Sequence, residues 1–334
     1  MKSLHTAYLS LGSRKPHPQD TQKKRPTVPL RLSRAGVTNQ RRNIQLVHNG
    51  KPAFFSARFD LFVDLARDQA GVHMSRFGDV AETILRDMAL EPMPDIASLA
   101  GRLSRGIAAA QGALRSEVHI RADVPLQKTT PVSGKSSEEL YTLIGIASTA
   151  GERTRRVIGV ETEGMTVCPC AQDMVRDASR DILLEEGFTP GQVERILTAI
   201  PLASHNQRGR GILLVGTDIP PLAENLAHLV EAAMSSETYP VLKRPDELFV
   251  LDKAHRRPRF VEDVVREMLR GLADSFPDLP DDSFVLARQE NLESIHKHNA
   301  VAERYGALGE IRRELREEGP TDASHTSLEQ WLRE

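Results

Sequence analysis

The 334-residue sequence contains two cysteines, one residue apart in Cys168-Pro169-Cys170, and further on stands His205-Asn206-Gln207-Arg208. Thiolate and imidazole are donors that zinc and ferrous ions prefer, and a catalytic metal needs about three protein ligands plus an open position for water. Successive side chains of a strand alternate faces, so a C-x-C spacing aims both sulfurs one way, and Pro169 denies the middle residue a ladder hydrogen bond. That combination suits a strand end opening onto a pocket. From the spacing alone an equal alternative stands: two thiols packed as small buried apolar groups.

Four further stretches hold polar residues of chemical interest. His73-Met74-Ser75-Arg76 follows Gly71 and reads as a polar loop beside a pocket. Lys243-Arg244-Pro245-Asp246-Glu247 sets two cations beside two carboxylates. It presents Lys243 or Arg244 to a phosphate and Glu247 to a metal, or else it is a solvated turn. In Glu293-Ser294-Ile295-His296-Lys297-His298 the two histidines alternate like strand neighbours. They are proton shuttles at neutral pH or a surface pair. Glu262 opens a helix whose apolar stripe is Phe260, Val261, Val264, Val265 and Met268. The positive helix N-terminus and Arg266 at i+4 also account for it.

The rest of the chain must position these groups. Its length accommodates one large or two medium domains, and two are expected. With 40% apolar residues and a net charge of -2, it lacks the basic excess of a nucleic-acid binder. Two cysteines this close make no disulfide framework, which points to a reducing cytoplasm. The start is too weak for a signal peptide, and no apolar run approaches the roughly 18 residues of a membrane span.

Residues 1–30 are expected to be a mobile lead-in, Lys-, Arg- and Pro-rich from residue 13, with order beginning near Asn43. Asn43–His48 and Pro52–Asp64 flank Asn49-Gly50, a type I′ turn pair, and so form a hairpin. Helical periods follow at Val80, Ile84, Leu85, Met88 and at Ile96, Leu99, Leu103, Ile107. Ser116–Val124 and Leu140–Ala147 are strands. The second half repeats this grammar: strands at Arg156–Val167, Gly211–Gly216 and Asp282–Gln289, helices at Leu222–Met234 and Phe260–Leu272. Two more helices, Ala171–Glu186 and Pro190–Ile200, form an insertion over 171–204, a lid or an oligomer contact, with Thr189 as N-cap. Ala300–Glu318 reads as a charged helix before a fraying tail. The boundaries are thus 31–150 for a first unit, 151–299 for a second, and 300–334 for the C-terminal helix and tail.

Taken together and in order, Gly71–Phe77, Cys168-Pro169-Cys170, His205–Arg208, Leu242–Glu247, Phe260–Arg266 and Glu293–His298 resemble the type IB GTP cyclohydrolases over roughly residues 25–305. The insertion and Met165–Gln172 look closer to the archaeal branch, whose product is a cyclic phosphate. The resemblance implies an α+β tunnelling fold: tandem units of antiparallel sheet with paired helices, assembled as a homotetramer with interface active sites. It implies one divalent ion, Fe2+, Zn2+ or Mn2+, on Cys168, His205 and Glu247, with Cys170 as the alternative ligand. Glu262 would hold the guanine edge, while His296 and His298 would move protons. His73, Arg76, Arg208, Lys243, Arg244 and Lys297 would bind the rest of GTP. A relative acting on another purine or pterin, or a non-catalytic protein stabilised by structural zinc, are the alternatives.

Overall fold

Alternating apolar and polar residues build long strands here, and each strand hands one face to the core. The computed structural model describes residues 21–48, 50–88, 92–316 and 325–333. The first half runs β1 (Leu32–His48), β2 (Lys51–Leu65), α1 (Met74–Met88), α2 (Ile96–Gln111), β3 (Arg115–Thr129) and β4 (Ser136–Ala150). The second runs β5 (Arg153–Val167), α3 (Pro169–Glu185), α4 (Pro190–Ala199), β6 (Asn206–Gly216), α5 (Ala223–Ala233), β7 (Ser236–Glu237), α6 (Arg244–Arg256), α7 (Val261–Ser275), β8 (Phe284–Leu292) and β9 (Ala300–Ala307). Two short helices close the described chain, α8 (Leu308–Leu315) and α9 (Leu328–Trp331).

The strands form one antiparallel sheet in the order β1-β2-β3-β4-β5-β6-β8-β9, with β7 on β5. Opposite residues share a face, so the row Ile120, Gly145, Ile158, Val215 and Val285 lies wholly on the helix side. Phe77, Leu99, Leu103 and Ile107 of α1 and α2 cover one half of that face, and Leu226, Val230, Val264 and Met268 of α5 and α7 the other. Gly145 is where α2 comes closest, because a Cβ there would stand 2.6 Å from the Ile96 carbonyl oxygen. The boundary between the expected units falls at the β4–β5 turn, and the sheet continues through it.

The opposite face carries a smaller apolar cluster of Ile144, Ile146, Val157, Leu214 and Phe284, covered by Trp331 and Leu332 of the C-terminal segment. The Trp331 indole N–H donates to the Asp282 carbonyl at 3.1 Å, and the Arg155 guanidinium stacks 4.4 Å over the ring.

Several expectations need correction. The first strand begins at Leu32, not near Asn43, and Thr21–Lys23 before it form a short helical turn. Ala70 and Gly71 donate amides to Gln22 and Lys24, tying that part of the lead-in down; residues 1–20 lie outside the described residues. Ala300–Ala307 is a strand, and among the described residues of the expected C-terminal helix Leu308–Leu315 is helical; residues 317–324, with part of the expected tail, lie outside the described residues. Charged side chains suit an edge strand as well as a solvated helix, and the Arg288–Glu303 pair bridges β8 and β9. Lys243–Glu247 is the start of a helix, not a turn. The Thr189 cap is present as a capping box, its hydroxyl accepting from the Gln192 amide. No helix among the described residues is long and apolar enough to cross a membrane.

Candidate active site

Strand β5 ends at Val167, paired with Asn206 at the start of β6. One step further the same register sets Cys168 opposite His205, and the Cys168 amide donates to the His205 carbonyl at 3.1 Å. The two side chains therefore project from one face of the ladder's end. Cys168 has extended backbone angles and acts as N-cap of α3, with Pro169 at the first helical position. Its carbonyl accepts from Ser204 Oγ at 2.6 Å. Cys170 lies in the first turn of α3 and is exposed, so the two sulfurs do not alternate along a strand. The strand reading of C-x-C fails because Pro169, preset for a helix start, turns the chain immediately after Cys168.

The His205 ring is held from one side. Its Nδ1 lies 3.0 Å from Gln207 Oε1, and Gln207 Nε2 donates to the buried Thr166 hydroxyl at 3.1 Å. With the Nδ1 proton donated to Gln207, Nε2 is the free lone pair of the neutral ring. Glu293 Oε2 stands 3.8 Å from the same Nδ1, with the Glu293 side chain only 9% exposed. The His296 ring meets His205 edge-on, centroids 6.3 Å apart, and stacks on His298 at 5.1 Å. Cys168, His205, Glu293, His296 and His298 thus form one cluster where β5, β6 and the β8–β9 loop converge. Gln207, Thr166 and Glu293 lie within stretches that the sequence singles out, but no role was assigned to them there. Their alternation with His205 and Cys168 along paired strands is the signal that would have found them.

Glu247 is exposed in the first turn of α6, a helix that packs on β5 and β7. The preceding residue fixes that turn: buried Asp246 accepts from the Lys243 amide at 3.0 Å, the Val132 amide at 3.0 Å, the Ser133 amide at 2.8 Å and Ser133 Oγ at 2.5 Å. Burial alone would raise the Asp246 carboxyl, but these donors outweigh it and hold it well below the carboxylate range. Lys243 and Arg244 flank the same turn, both exposed. Arg208 pairs with Glu163 at 3.0 Å. Lys297 lies exposed between the stacked histidines.

Other sequence candidates stand elsewhere in the chain. Glu262, exposed on the first turn of α7, lines a groove of about 420 Å³ shared with Ala302 and Arg304 of β9 and Ile311 of α8. His73 precedes α1, its backbone exchanging hydrogen bonds with the Gln111 side chain, and Arg76 donates to the Ala110 carbonyl at the end of α2. Among the described residues no group of three or more His, Cys, Asp or Glu is arranged to hold a metal ion. The thiol and imidazole of Cys168 and His205 are nevertheless a donor pair suited to zinc or ferrous iron.

An antiparallel sheet backed on one side by paired helices, repeated twice in one chain, defines a tunnelling-fold protein. The uricase of Arthrobacter globiformis has the same fold, with a TM-score of 0.51 at 9% identity, covering 88% of this chain and 96% of that one. The particular family follows from sequence: the family described as type I GTP cyclohydrolase folE2 matches residues 19–302. GTP cyclohydrolase MptA of Methanothermobacter thermautotrophicus is 42% identical over 310 residues, covering 89% of this chain and 96% of that protein. GTP cyclohydrolase MptA of Methanocaldococcus jannaschii is 37% identical over 305 residues, covering 89% and 97%. The chain belongs to the type I GTP cyclohydrolase family.

Proposed function

We propose that the chain hydrolyses GTP at guanine C8, opening the imidazole ring, releasing C8 as formate and forming a 7,8-dihydroneopterin phosphate, the triphosphate or the 2′,3′-cyclic phosphate. The observation that carries this reading is the convergence of Cys168, His205, Glu293 and His296 at one end of β5 and β6 in a chain of this family. Cys168 and His205 would hold one divalent ion, Fe2+, Zn2+ or Mn2+, with Glu247 as the carboxylate completing the shell. Cys168 is the better donor of the two thiols, being opposite His205, whereas Cys170 faces solvent. When bound, such an ion lowers the pKa of its water toward about 7 and so supplies a nucleophile at neutral pH.

The chain's own residues do the remaining work. Gln207 holds the His205 tautomer that leaves Nε2 free. His296, exposed at the cluster's rim with His298 stacked on it, would protonate the departing ring nitrogen and, once reprotonated, assist the loss of C8 as formate. A carboxylate such as Glu262 accepts two hydrogen bonds from guanine N1–H and the exocyclic amine, a pairing that adenine cannot make. Glu262 lines a groove that includes none of Cys168, His205, Glu293 and His296, which fits a site completed by a neighbouring subunit, as in a homotetramer with interface sites. Lys243, Arg244 and Lys297 are exposed cations for the phosphates. A cytoplasmic setting fits the free thiols.

The test is direct. Purified full-length protein given Fe(II), Mn(II) or Zn(II) and GTP releases formate and yields a fluorescent pterin after oxidation; no formate with any of the three metals overturns the reading. Cys168→Ala abolishes stoichiometric metal and Cys170→Ala keeps it, as measured by elemental analysis, and the reverse result assigns the other sulfur.

A further inference from the structure

Three arginines stand side by side across three neighbouring strands. Arg41 of β1 is opposite Arg58 of β2, and Arg58 is opposite Arg121 of β3. Direct opposition puts all three on one face. The adjacent pairs Ala57–Ala122 and Phe59–Ile120 are buried beneath the helices, so the arginines occupy the other face of the sheet. Like charges directly opposite one another destabilise a sheet, and a chain of net charge -2 has no general basic excess to account for the row.

The row depends on a specific irregularity in the backbone. Strand β1 pairs Val37 with Leu61 but Gln40 with Phe59, so one extra residue bulges out between them. Continuing the first register would set Gln40 opposite Arg58 and turn Arg41 to the helix side, because a one-residue slip exchanges faces. Within the bulge Asn39 has φ 58°, the only non-glycine residue with positive φ among the described residues, and its amide donates to Asp60 Oδ1 at 2.7 Å. A left-handed residue held by a side-chain carboxylate is thus what brings Arg41 into the row.

Carboxylates near the row are engaged elsewhere or shared. Arg121 pairs with Glu161, which also lies 3.7 Å from Arg210, and Asp123 accepts from Thr142 Oγ1 at 3.0 Å. Asp60 is occupied by the Asn39 amide. Arg41 and Arg58 have no carboxylate partner among the described residues. The three guanidinium groups border a cleft of about 310 Å³ to which Ser56 adds a hydroxyl and which Thr142, Asp123 and Glu161, engaged as above, also line.

We propose that this arginine ladder binds a phosphate-bearing anion. Adjacent strands are about 4.8 Å apart, so three forked cations span about 10 Å and converge on one ligand of several charges. The ladder lies level with Gly159 of β5, on the order of 30 Å along that strand from Cys168, so within one chain it is not part of the cysteine–histidine cluster. The anion is the phosphate tail of a nucleotide or a free phosphate species. The site stands whether or not the chain turns over GTP.

The probe is inorganic tripolyphosphate, titrated calorimetrically into the full-length protein at low salt. Wild type is expected to bind it, and Arg41→Gln with Arg58→Gln to bind at least tenfold more weakly. Arg195→Gln, on the exposed side of α4, is expected to bind like wild type. In anion-free buffer the double variant keeps or raises its Tm, because repulsion between opposed cations is relieved; that separates lost binding from lost folding. A parallel GTP titration distinguishes the sources: weakened GTP binding in the double variant assigns the ladder to the nucleotide's phosphates, and unchanged GTP binding assigns it to a free anion. No tripolyphosphate binding by wild type, or wild-type affinity in the double variant, overturns the proposal.

Discussion

Replacing Gln207 with leucine isolates the orientation of His205 from the fold that carries it. In the native chain Gln207 bridges His205 Nδ1 at 3.0 Å and the Thr166 hydroxyl at 3.1 Å, with Gln207 7% exposed and Thr166 fully buried. Leucine of similar size leaves that hydroxyl without its donor, a cost of about 1–3 kcal/mol in stability. It also frees the imidazole to rotate and change tautomer, since Glu293 at 3.8 Å is beyond hydrogen-bond reach. Loss of such a supporting partner typically reduces metal affinity or activity by about 10–100-fold. Thr166→Val with Gln207→Leu then separates the two effects: removing both partners for apolar groups of like shape is nearly neutral for stability, but it does nothing for His205. The expected pattern is therefore a urea midpoint restored in the double variant while metal content and formate release stay low. Wild-type formate release and metal content in Gln207→Leu alone would refute the reasoning, as would recovery of activity together with stability in the double variant.

Three other outcomes follow from the packing and charges. Lys128, with its side chain 5% exposed, lies 2.7 Å from Glu231, itself 3% exposed, so Lys128→Met strands a buried carboxylate and costs about 3–5 kcal/mol by urea denaturation. Lys128→Met with Glu231→Gln, which leaves of the Lys128 partners only the less buried Glu139 charged, should cost less; an equal or larger loss contradicts the pairing. Gly216→Ala drives a methyl to 2.7 Å from the Trp331 ring and 3.0 Å from Phe284 Cβ, so it should destabilise by about 1–3 kcal/mol. Trp331 is the only tryptophan, and its emission should shift red as α9 is displaced; an unchanged spectrum counts against that seat. Acid sensitivity is the third. Burial raises the Glu117 carboxyl, but the hydrogen bond and charge of His119 and the Arg34 guanidinium more than offset this and hold it low, as the Ser133, Lys243 and Val132 donors do Asp246. Both carboxyls bind protons more weakly folded than unfolded, so their stabilisation is complete above the unfolded values of about 4 and is lost as pH falls through the lower folded ones. The urea midpoint of wild type should drop more steeply than that of Asp246→Asn below about pH 4.5, and equal slopes refute the assignment.

Local pattern alone determined most of the strands and helices, because alternation and helical period report which side of an element is buried. The core of β2, β3, β5 and α7 is legible in that way, as is the Thr189 cap. Composition and spacing also singled out the Cys168–Cys170 pair, His205 and the His296–His298 pair, since few residue types do this chemistry, without separating the two thiols or the two imidazoles. Pairing across long sequence separations was decided only in three dimensions. The register that sets Cys168 opposite His205 depends on where β5 meets β6, past two inserted helices. The partners Gln207 and Glu293 become meaningful only with that register in place. Ala300–Ala307 became a strand because β8 offered it an edge, overriding a charged pattern that fits a helix equally well. Arg41 shares a face with Arg58 only through the bulge at Asn39. In each case the deciding term is backbone pairing with a distant segment, which no window of neighbouring residues encodes.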